Sequence, residues 1–383
     1  SITQAVSAQG FFYAPDPSSQ VACTVGGNIA TNSGGAHCLK YGVTVNNLLA
    51  VRMVMMDGEI VDFGGSHLDS PNYDFLPLIT GSEGQLGVVT EASVRLLAAP
   101  EGARPVLIGF DSAHAAASCV AAIIASGIVP VAMEFMDRPA IHVCEHFVPA
   151  GYPLDAEAAL IVEVEGSEDE IEYLLEKIED IAQDYNPIST RRSQSAEESA
   201  LIWKGRKAAF GAIGQVSDYM CMDGVIPLSA LSAALEGVSQ ICRKYRFDVA
   251  NIFHAGDGNL HPLVLYDAND PGQLERVELC GAEILKLCVE LGGCLTGEHG
   301  VGIEKRELMY EQFTDEDIDQ QVRIKEELDP AWLLNPGKVF PILGRDALKL
   351  TMDLTRLEAG RDDATPESEL VDEVAYIEGE ETL

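Results

Sequence analysis

Two histidines seven residues apart, His254 and His261 in the stretch HAGDGNLH, have the residue type and spacing for metal chemistry. Asp257-Gly258 between them is a pair that accepts positive φ and closes tight hairpins. A two-residue turn there pairs position 256 with 259, 255 with 260 and 254 with 261, so the two imidazoles oppose each other. Directly opposed side chains have Cβ atoms roughly 4.5–5.5 Å apart, near enough for both rings to reach one divalent ion at about 2.0–2.1 Å. A third ligand is offered by GEHGVG, where Glu298 and His299 lie among three glycines. Three of the chain's eight histidines fall in these two stretches, which favours a site over two ordinary turn histidines.

Strand-like residues flank the hairpin, and the elements around it must hold it in place. PVLIGF, VPVAMEFMD and AALIVEVEG read as strands, separated by helical stretches over residues 112–126 and 169–183. That order and partial alternation predict an antiparallel or mixed sheet covered by helices. Residues 196–213, carrying WKGRKAAF, read as one helix and residues 218–226 as a strand. Further helices are expected over 228–245, 272–291 and 314–328, the last followed by a turn in LLNPGKVFP.

Toward the N-terminus the pattern is different. After the turn-rich Pro15-Asp16-Pro17-Ser18-Ser19, the stretch VACTVGGNIATNSGGAHCLKYG concentrates Gly26, Gly27, Asn28, Asn32, Gly34 and Gly35. So much glycine and asparagine disfavours helix and strand, and predicts a loop whose backbone a ligand can approach closely. A hairpin around Asp57-Gly58 follows, then a second glycine-rich loop over residues 81–87 before a β-branched run. Together the loops predict a dinucleotide lying along backbone amides, without the G-x-G-x-x-G fingerprint of a Rossmann fold.

Composition narrows the class. A chain of 383 residues with 47% hydrophobic content can bury a large core and form two domains. Sixty-one acidic residues against 25 basic ones, a net charge of −36, argue against nucleic acid and anionic membrane surfaces as partners. Nine scattered cysteines with no Cys-x-x-Cys predict reduced thiols in a cytoplasmic-type compartment, not a cluster, zinc ribbon or disulfide framework. No apolar run approaches the roughly 20 residues of a membrane helix. The chain opens at Ser1 without an initiator or signal-peptide pattern and reads as a fragment. From Ala359 onward nine acidic residues stand against one arginine, as in a disordered or loosely attached tail.

The set PDPSS, TVGGNIATNSGG, GSEGQLGVVTE, HAGDGNLHP, GEHGVG and NPGKVF, in this order, resembles the FAD-linked 2-hydroxyacid oxidases and dehydrogenases of the vanillyl-alcohol-oxidase type, nearest the glycolate-oxidising flavin subunits. The resemblance covers residues 1–342 and implies an α+β architecture. A truncated FAD-binding domain of the vanillyl-alcohol-oxidase (PCMH) type is expected over residues 1–100. A ferredoxin-like cap domain with the metal site and a C-terminal helical segment is expected over 101–342, and the acidic tail over 343–383. The resemblance further implies that Pro15, Ser18, Gly26, Gly27, Asn28, Thr31, Asn32, Gly34 and Gly35 line the flavin. Glu83, Gly84, Gly87 and Val88 would lie on its adenosine side, with Asn335 returning to the same site. Glycines let N–H groups approach the pyrophosphate and ring system, and asparagine amides satisfy the flavin's polar edge. Family members carry a further glycine-rich pyrophosphate loop upstream of PDPSS, so many of the expected FAD contacts lie outside this sequence.

The same resemblance implies that His254, His261 and Glu298 bind zinc or a similar divalent ion, with His299 as catalytic base. Three ligands leave coordination positions open, as catalytic metal sites do, and a 2-hydroxy acid could chelate there through its hydroxyl and carboxylate oxygens. Arg206 is similar to the family arginine that grips the substrate carboxylate, a task suited to a planar fork. Asn259 is expected as a turn residue near substrate, and Lys338 as a turn charge. Phe210 and Cys221 stand where relatives acting on longer dicarboxylates place polar groups, which favours glycolate or D-lactate over 2-hydroxyglutarate. The expected activity is FAD-dependent oxidation of that small acid. Electrons would pass to an iron-sulfur subunit, a second flavin-type subunit or a quinone, in the cytoplasm and at most peripheral to the membrane. The alternatives are a D-lactate or D-2-hydroxyglutarate dehydrogenase acting alone, a metal-dependent hydrolase, and a non-catalytic subunit. The paired glycine-rich loops argue against the hydrolase, which has no need of them.

Overall fold

The computed structural model describes residues 1–20, 22–67 and 73–341, so the acidic tail expected from Ala359 lies outside the described residues. The first glycine-rich segment departs from expectation: part of it is helix α1 (Val25–Thr31). Thr24 caps it by accepting from Gly27 N at 2.9 Å, and Asn32 ends it at φ 53°. Ile29 on this helix is 1% exposed. Burying an isoleucine contributes roughly 1.5–3 kcal/mol and the cap about 1, enough to offset roughly 1 kcal/mol for each helical glycine. Composition alone therefore misjudged the segment. The hairpin forms as expected from β1 (Leu48–Val54) and β2 (Ile60–Gly64), turning at Gly58 with φ 87°. Strand β3 (Val88–Val94) pairs with the other edge of β1, and this antiparallel sheet packs Val51 and Met53 against Ile29, Leu76 and Ile79.

The larger body alternates strands and helices. In chain order it comprises β4 (Gly102–Phe110), α2 (Ala113–Ala125), β5 (Ala132–Asp137), α3 (Arg138–Phe147), β6 (Ala158–Gly166), α4 (Glu168–Gln183) and β7 (Ser189–Arg192). There follow α5 (Ala196–Lys207), α6 (Ala209–Ile213), β8 (Asp218–Cys221), α7 (Leu231–Tyr245), β9 (Val249–His254), β10 (Pro262–Tyr266), α8 (Gln273–Glu290) and α9 (Asp315–Leu328). The strands form one antiparallel sheet in the order β8-β10-β9-β5-β6-β4-β7. Side-chain alternation divides its core in two. Val106, Ile108, Phe135 and Phe253 face α2, α4 and α7, while Leu107, Met136, Ile161 and Ile252 face α3, α5 and α6. Among the described residues no helix is long and apolar enough to cross a membrane.

Three further expectations are corrected. A turn at Ala208 splits the helix expected over 196–213 into α5 and α6. The strand expected over 218–226 ends at Cys221, and Val225 makes only isolated bridges to Asn259 and Cys294. In the histidine hairpin Val249 pairs with Val264, Asn251 with Pro262 and His254 with Asn259, so the connection is four residues long, not two. The tip is drawn into neighbouring segments: Gly256 N donates to Met133 O at 3.1 Å, and Gly258 O accepts from Ile226 N at 3.0 Å. His261 consequently lies diagonal to His254 on the same sheet face. The convergence expected from the wrong register survives, with ring centroids 5.2 Å apart.

Candidate active site

Cross-strand pairing places the first residues of the site. His254, at the end of β9, is paired with Glu134 on β5, so both side chains project from one face, toward α5. Glu134 is fully buried. One of its oxygens, Oε1, lies 2.7 Å from His254 Nδ1. The other, Oε2, accepts from Arg206 Nε at 2.9 Å and lies 2.6 Å from Nη2. Arg206 is thus a buried ion-pair partner and not an exposed helix charge. Burial alone would raise the Glu134 carboxyl, yet the arginine and histidine beside it hold it at about 2. His254 is driven the other way, well above an ordinary histidine: desolvation lowers it, but Glu134 and Glu298 outweigh that.

His254, His261 and Glu298 come together with ligand atoms within 4.8 Å of one another. Glu298 Oε1 lies 3.3 Å from His254 Nε2 and 3.5 Å from His261 Nε2. These two ring nitrogens, and His261 Nδ1, are buried and have no hydrogen-bond partner. Ligands of a tetrahedral ion at about 2.05 Å stand roughly 3.3 Å apart, so the two orphaned nitrogens and the carboxylate fit a divalent ion. The carboxylate's second oxygen, Oε2, accepts from Gly34 N at 3.0 Å. Burial raises the Glu298 carboxyl, but His254, His261 and His299 bring it down to about 2.

The turn carrying Glu298 and His299 is organised by a residue the sequence did not reveal. Asp223 is fully buried. Its Oδ1 accepts from Asn259 Nδ2 at 3.0 Å and Glu298 N at 3.1 Å. Its Oδ2 accepts from Thr296 Oγ1 at 2.6 Å, Gly297 N at 3.0 Å, His299 N at 3.1 Å and Lys305 Nζ at 2.9 Å. Despite burial, the His261 ring, its Nε2 3.6 Å from Oδ1, and the charge of Lys305 hold this carboxyl far below the usual range. Asp223, His261 and His299 also lie close enough to suggest a second ion site. Six donors already saturate the roughly four lone-pair positions of a carboxylate, so that group is structural. His299 stacks on His261, centroids 5.1 Å apart and planes 4° apart, and keeps an exposed edge. Desolvation, aided by the charge of His261, holds it below an ordinary histidine in spite of Asp223. Phe210 approaches His261 edge-on at 6.1 Å.

The flavin motifs divide into three groups. Pro15 and Asn28 line a cavity of about 540 Å³ with Tyr13, His37, Tyr41 and Glu163, within the range of small-molecule sites. Gly34 and Gly35 line a second, of about 170 Å³, with His254, Asn259 and Glu298. Ser18, Gly26 and Gly27 are exposed and line neither, and a carbon added at Gly26 would meet nothing nearer than Val89 O at 4.0 Å. Open backbone beside a cavity of this size fits a bound cofactor. Thr31 and Asn32 instead knit the end of α1, Asn32 Oδ1 accepting from Val45 N at 2.9 Å. Glu83, Gly84, Gly87, Val88 and Asn335 line neither cavity and form a scaffold. The Glu83 carboxylate accepts from Val301 N at 2.7 Å and Gly302 N at 2.8 Å, and its carbonyl accepts from Asn335 Nδ2 at 2.5 Å. A carbon at Gly87 would strike Met53 at 2.7 Å, and Val88 opens β3. The motifs from residues 81–87, 297–302 and 334–338 are therefore tied to one another.

Known proteins place this architecture. The fold is shared with p-cresol methylhydroxylase bound to substrate, at TM-score 0.72 and 14% identity, over 88% of this chain and 74% of that one. The family models "FAD binding domain" and "FAD linked oxidases, C-terminal domain" match residues 1–64 and 99–339. The molecule is a flavoprotein oxidoreductase by class, and the chain belongs to the FAD-linked oxidases. It is 50% identical to the glycolate oxidase subunit GlcD of Escherichia coli (strain K12), over 90% of this chain and 70% of that protein. A D-lactate dehydrogenase of Anaerostipes hadrus is 30% identical, over 88% of this chain and 73% of that one.

Proposed function

We propose that the chain oxidises a small 2-hydroxy acid, glycolate or D-lactate, to the 2-oxo acid. The observation that carries this reading is the 3.0 Å hydrogen bond from Gly34 N to Glu298 Oε2. It joins the glycine-rich flavin motif to the nitrogen–nitrogen–carboxylate cluster, and oxidation of a 2-hydroxy acid needs a hydride acceptor beside the group that activates the hydroxyl. In this reading residues 1–100 hold the flavin side and 101–342 the substrate side.

Bound FAD would supply the hydride acceptor, and a divalent ion on His254, His261 and Glu298 would lower the substrate hydroxyl pKa. Arg206 gives the substrate carboxylate a cationic partner. The depressed basicity of His299 keeps its imidazole neutral near pH 7, ready to take the hydroxyl proton. Asn259, its amide nitrogen committed to Asp223, shapes the pocket wall. Phe210 beside His261 and the thiol of Cys221 offer no partner to a second carboxylate, which supports a monocarboxylate substrate. Electrons would leave through an iron-sulfur subunit, a further flavin-type subunit or a quinone.

The test is the visible spectrum of the purified protein before and after anaerobic addition of glycolate, D-lactate or 2-hydroxyglutarate. Flavin bands that bleach with glycolate or D-lactate are expected. Protein that binds metal but no flavin would move the assignment to a hydrolase or a non-catalytic subunit, and faster bleaching with 2-hydroxyglutarate would overturn the substrate class.

A further inference from the structure

We infer that Glu134 is a positioning residue that couples the arginine assigned to the substrate carboxylate to the metal-binding histidine. This rests on the function proposed above and adds a residue that neither touches substrate nor binds the ion. Glu134 is fully buried, and an uncompensated carboxylate there would be costly. Each oxygen serves a different partner: Oε1 meets His254 Nδ1 at 2.7 Å, and Oε2 meets Arg206 Nε at 2.9 Å and Nη2 at 2.6 Å.

Two consequences follow from that division. The Nδ1 contact fixes the ring orientation of His254 and turns Nε2 toward Glu298 Oε1, 3.3 Å away. A histidine ligand oriented through a carboxylate is a better metal base, and loss of such a partner typically weakens metal binding about 10–100-fold. The contact on Oε2 occupies the Nε–Nη2 edge of the Arg206 guanidinium. Nη2, buried and without a hydrogen-bond partner, and Nη1 keep N–H groups outside the pair, so Arg206 meets an incoming carboxylate with its Nη1–Nη2 end and not with its side-on fork. One carboxylate thus sets both the geometry of the ion's ligand and the direction from which substrate is held. Any change in its charge must be felt at both.

The experiment measures divalent-ion affinity of the purified holoenzyme by competition with a chromophoric chelator, using Zn²⁺ and Mn²⁺ as probes, for wild type and Glu134→Gln. An amide keeps the shape but cannot accept from both partners at once. Expected are a metal dissociation constant raised at least tenfold, kcat recovered by excess metal, and a KM for glycolate that stays raised because Arg206 is still unsettled. Binding within twofold of wild type would overturn the coupling while leaving the metal site standing. Wild-type protein that takes up neither ion would overturn both. Should Glu134→Gln not fold, Arg206→Gln decides: with Oε2 released, His254 receives more of the carboxylate's charge and metal binding tightens severalfold. Unchanged metal affinity there overturns the proposal.

Discussion

At the scale of single residues, the site depends on groups whose work is to hold other groups. Gly34 is one of them. A carbon added there would fall 2.8 Å from Glu298 Oε2 and 3.0 Å from Cys38 Sγ. Gly34→Ala is therefore expected to push Glu298 off the two histidines and weaken divalent-ion binding about tenfold, the scale on which outer partners of metal ligands act. Chelator competition reads this directly, and unchanged affinity would show that Glu298 is not a ligand. Asp223 is another. Asp223→Asn faces three backbone N–H donors and the ammonium of Lys305 with a neutral amide, half of which is itself a donor. Breaking a buried pair by removing one charge costs about 3–5 kcal/mol. Urea unfolding is expected to show a loss of that size, and a loss below about 1 kcal/mol would mean that Lys305 finds another partner.

At the scale of elements, local signals decide most of the structure and long-range pairing decides the site. Helix α4 shows the local case. Ser167 and Glu170 close a capping box, Glu170 Oε2 accepting from Ser167 N at 2.9 Å. Ser167→Ala should cost about 1 kcal/mol in denaturant unfolding with metal binding untouched; a larger loss would implicate a tertiary role for the cap. Such signals are written in neighbouring residues, which is why α2, α4 and the β1–β2 hairpin were legible in the sequence. The histidine hairpin was legible in part. Asp257-Gly258 marks a reversal of direction, but its register is set by pairing with β5 and with the segment around Gly224 and Ile226, which no short-range pattern reveals. Helix α1 was misread because glycine content speaks against helix, while the burial of Ile29 that rescues it depends on the sheet beneath. Glu134 carried one faint signal, a carboxylate between Met133 and Phe135 inside the apolar run of VPVAMEFMD; Asp223, in the ordinary-looking CMDG, carried none. Both matter through partners more than 70 residues away along the chain.

At the scale of the whole molecule, the N-terminal segment and the seven-stranded sheet are joined through His37. Its Nδ1 lies 2.8 Å from Asp16 Oδ2 in the PDPSS turn, and its Nε2 lies 3.3 Å from Glu163 Oε2 on β6. Trp203 on α5 donates to the other oxygen of Glu163 at 2.7 Å, so three separate parts of the chain meet on this imidazole and its partners. Burial lowers the basicity of His37, but the two carboxylates more than reverse that and bring its pKa up to about 10. The unfolded chain releases the same proton near pH 6.5. A folded-state value above the unfolded one stabilises the fold in full below about pH 6.5, and the contribution is lost as pH climbs through about 10. The net charge of −36 sharpens the effect, because deprotonation removes the cation between Asp16 and Glu163 in an already anionic molecule and leaves Lys207, 3.5 Å from Asp16 Oδ2, as the partial compensation. Comparing wild type with His37→Gln by urea unfolding at pH 6, 8 and 10 isolates this one group, since every other titration is common to both. The stability gap is expected to be widest at pH 6 and to shrink progressively toward pH 10. A gap that stays constant or widens with pH would mean that His37 joins the segments as a neutral hydrogen-bonding ring and not as a cation between two carboxylates.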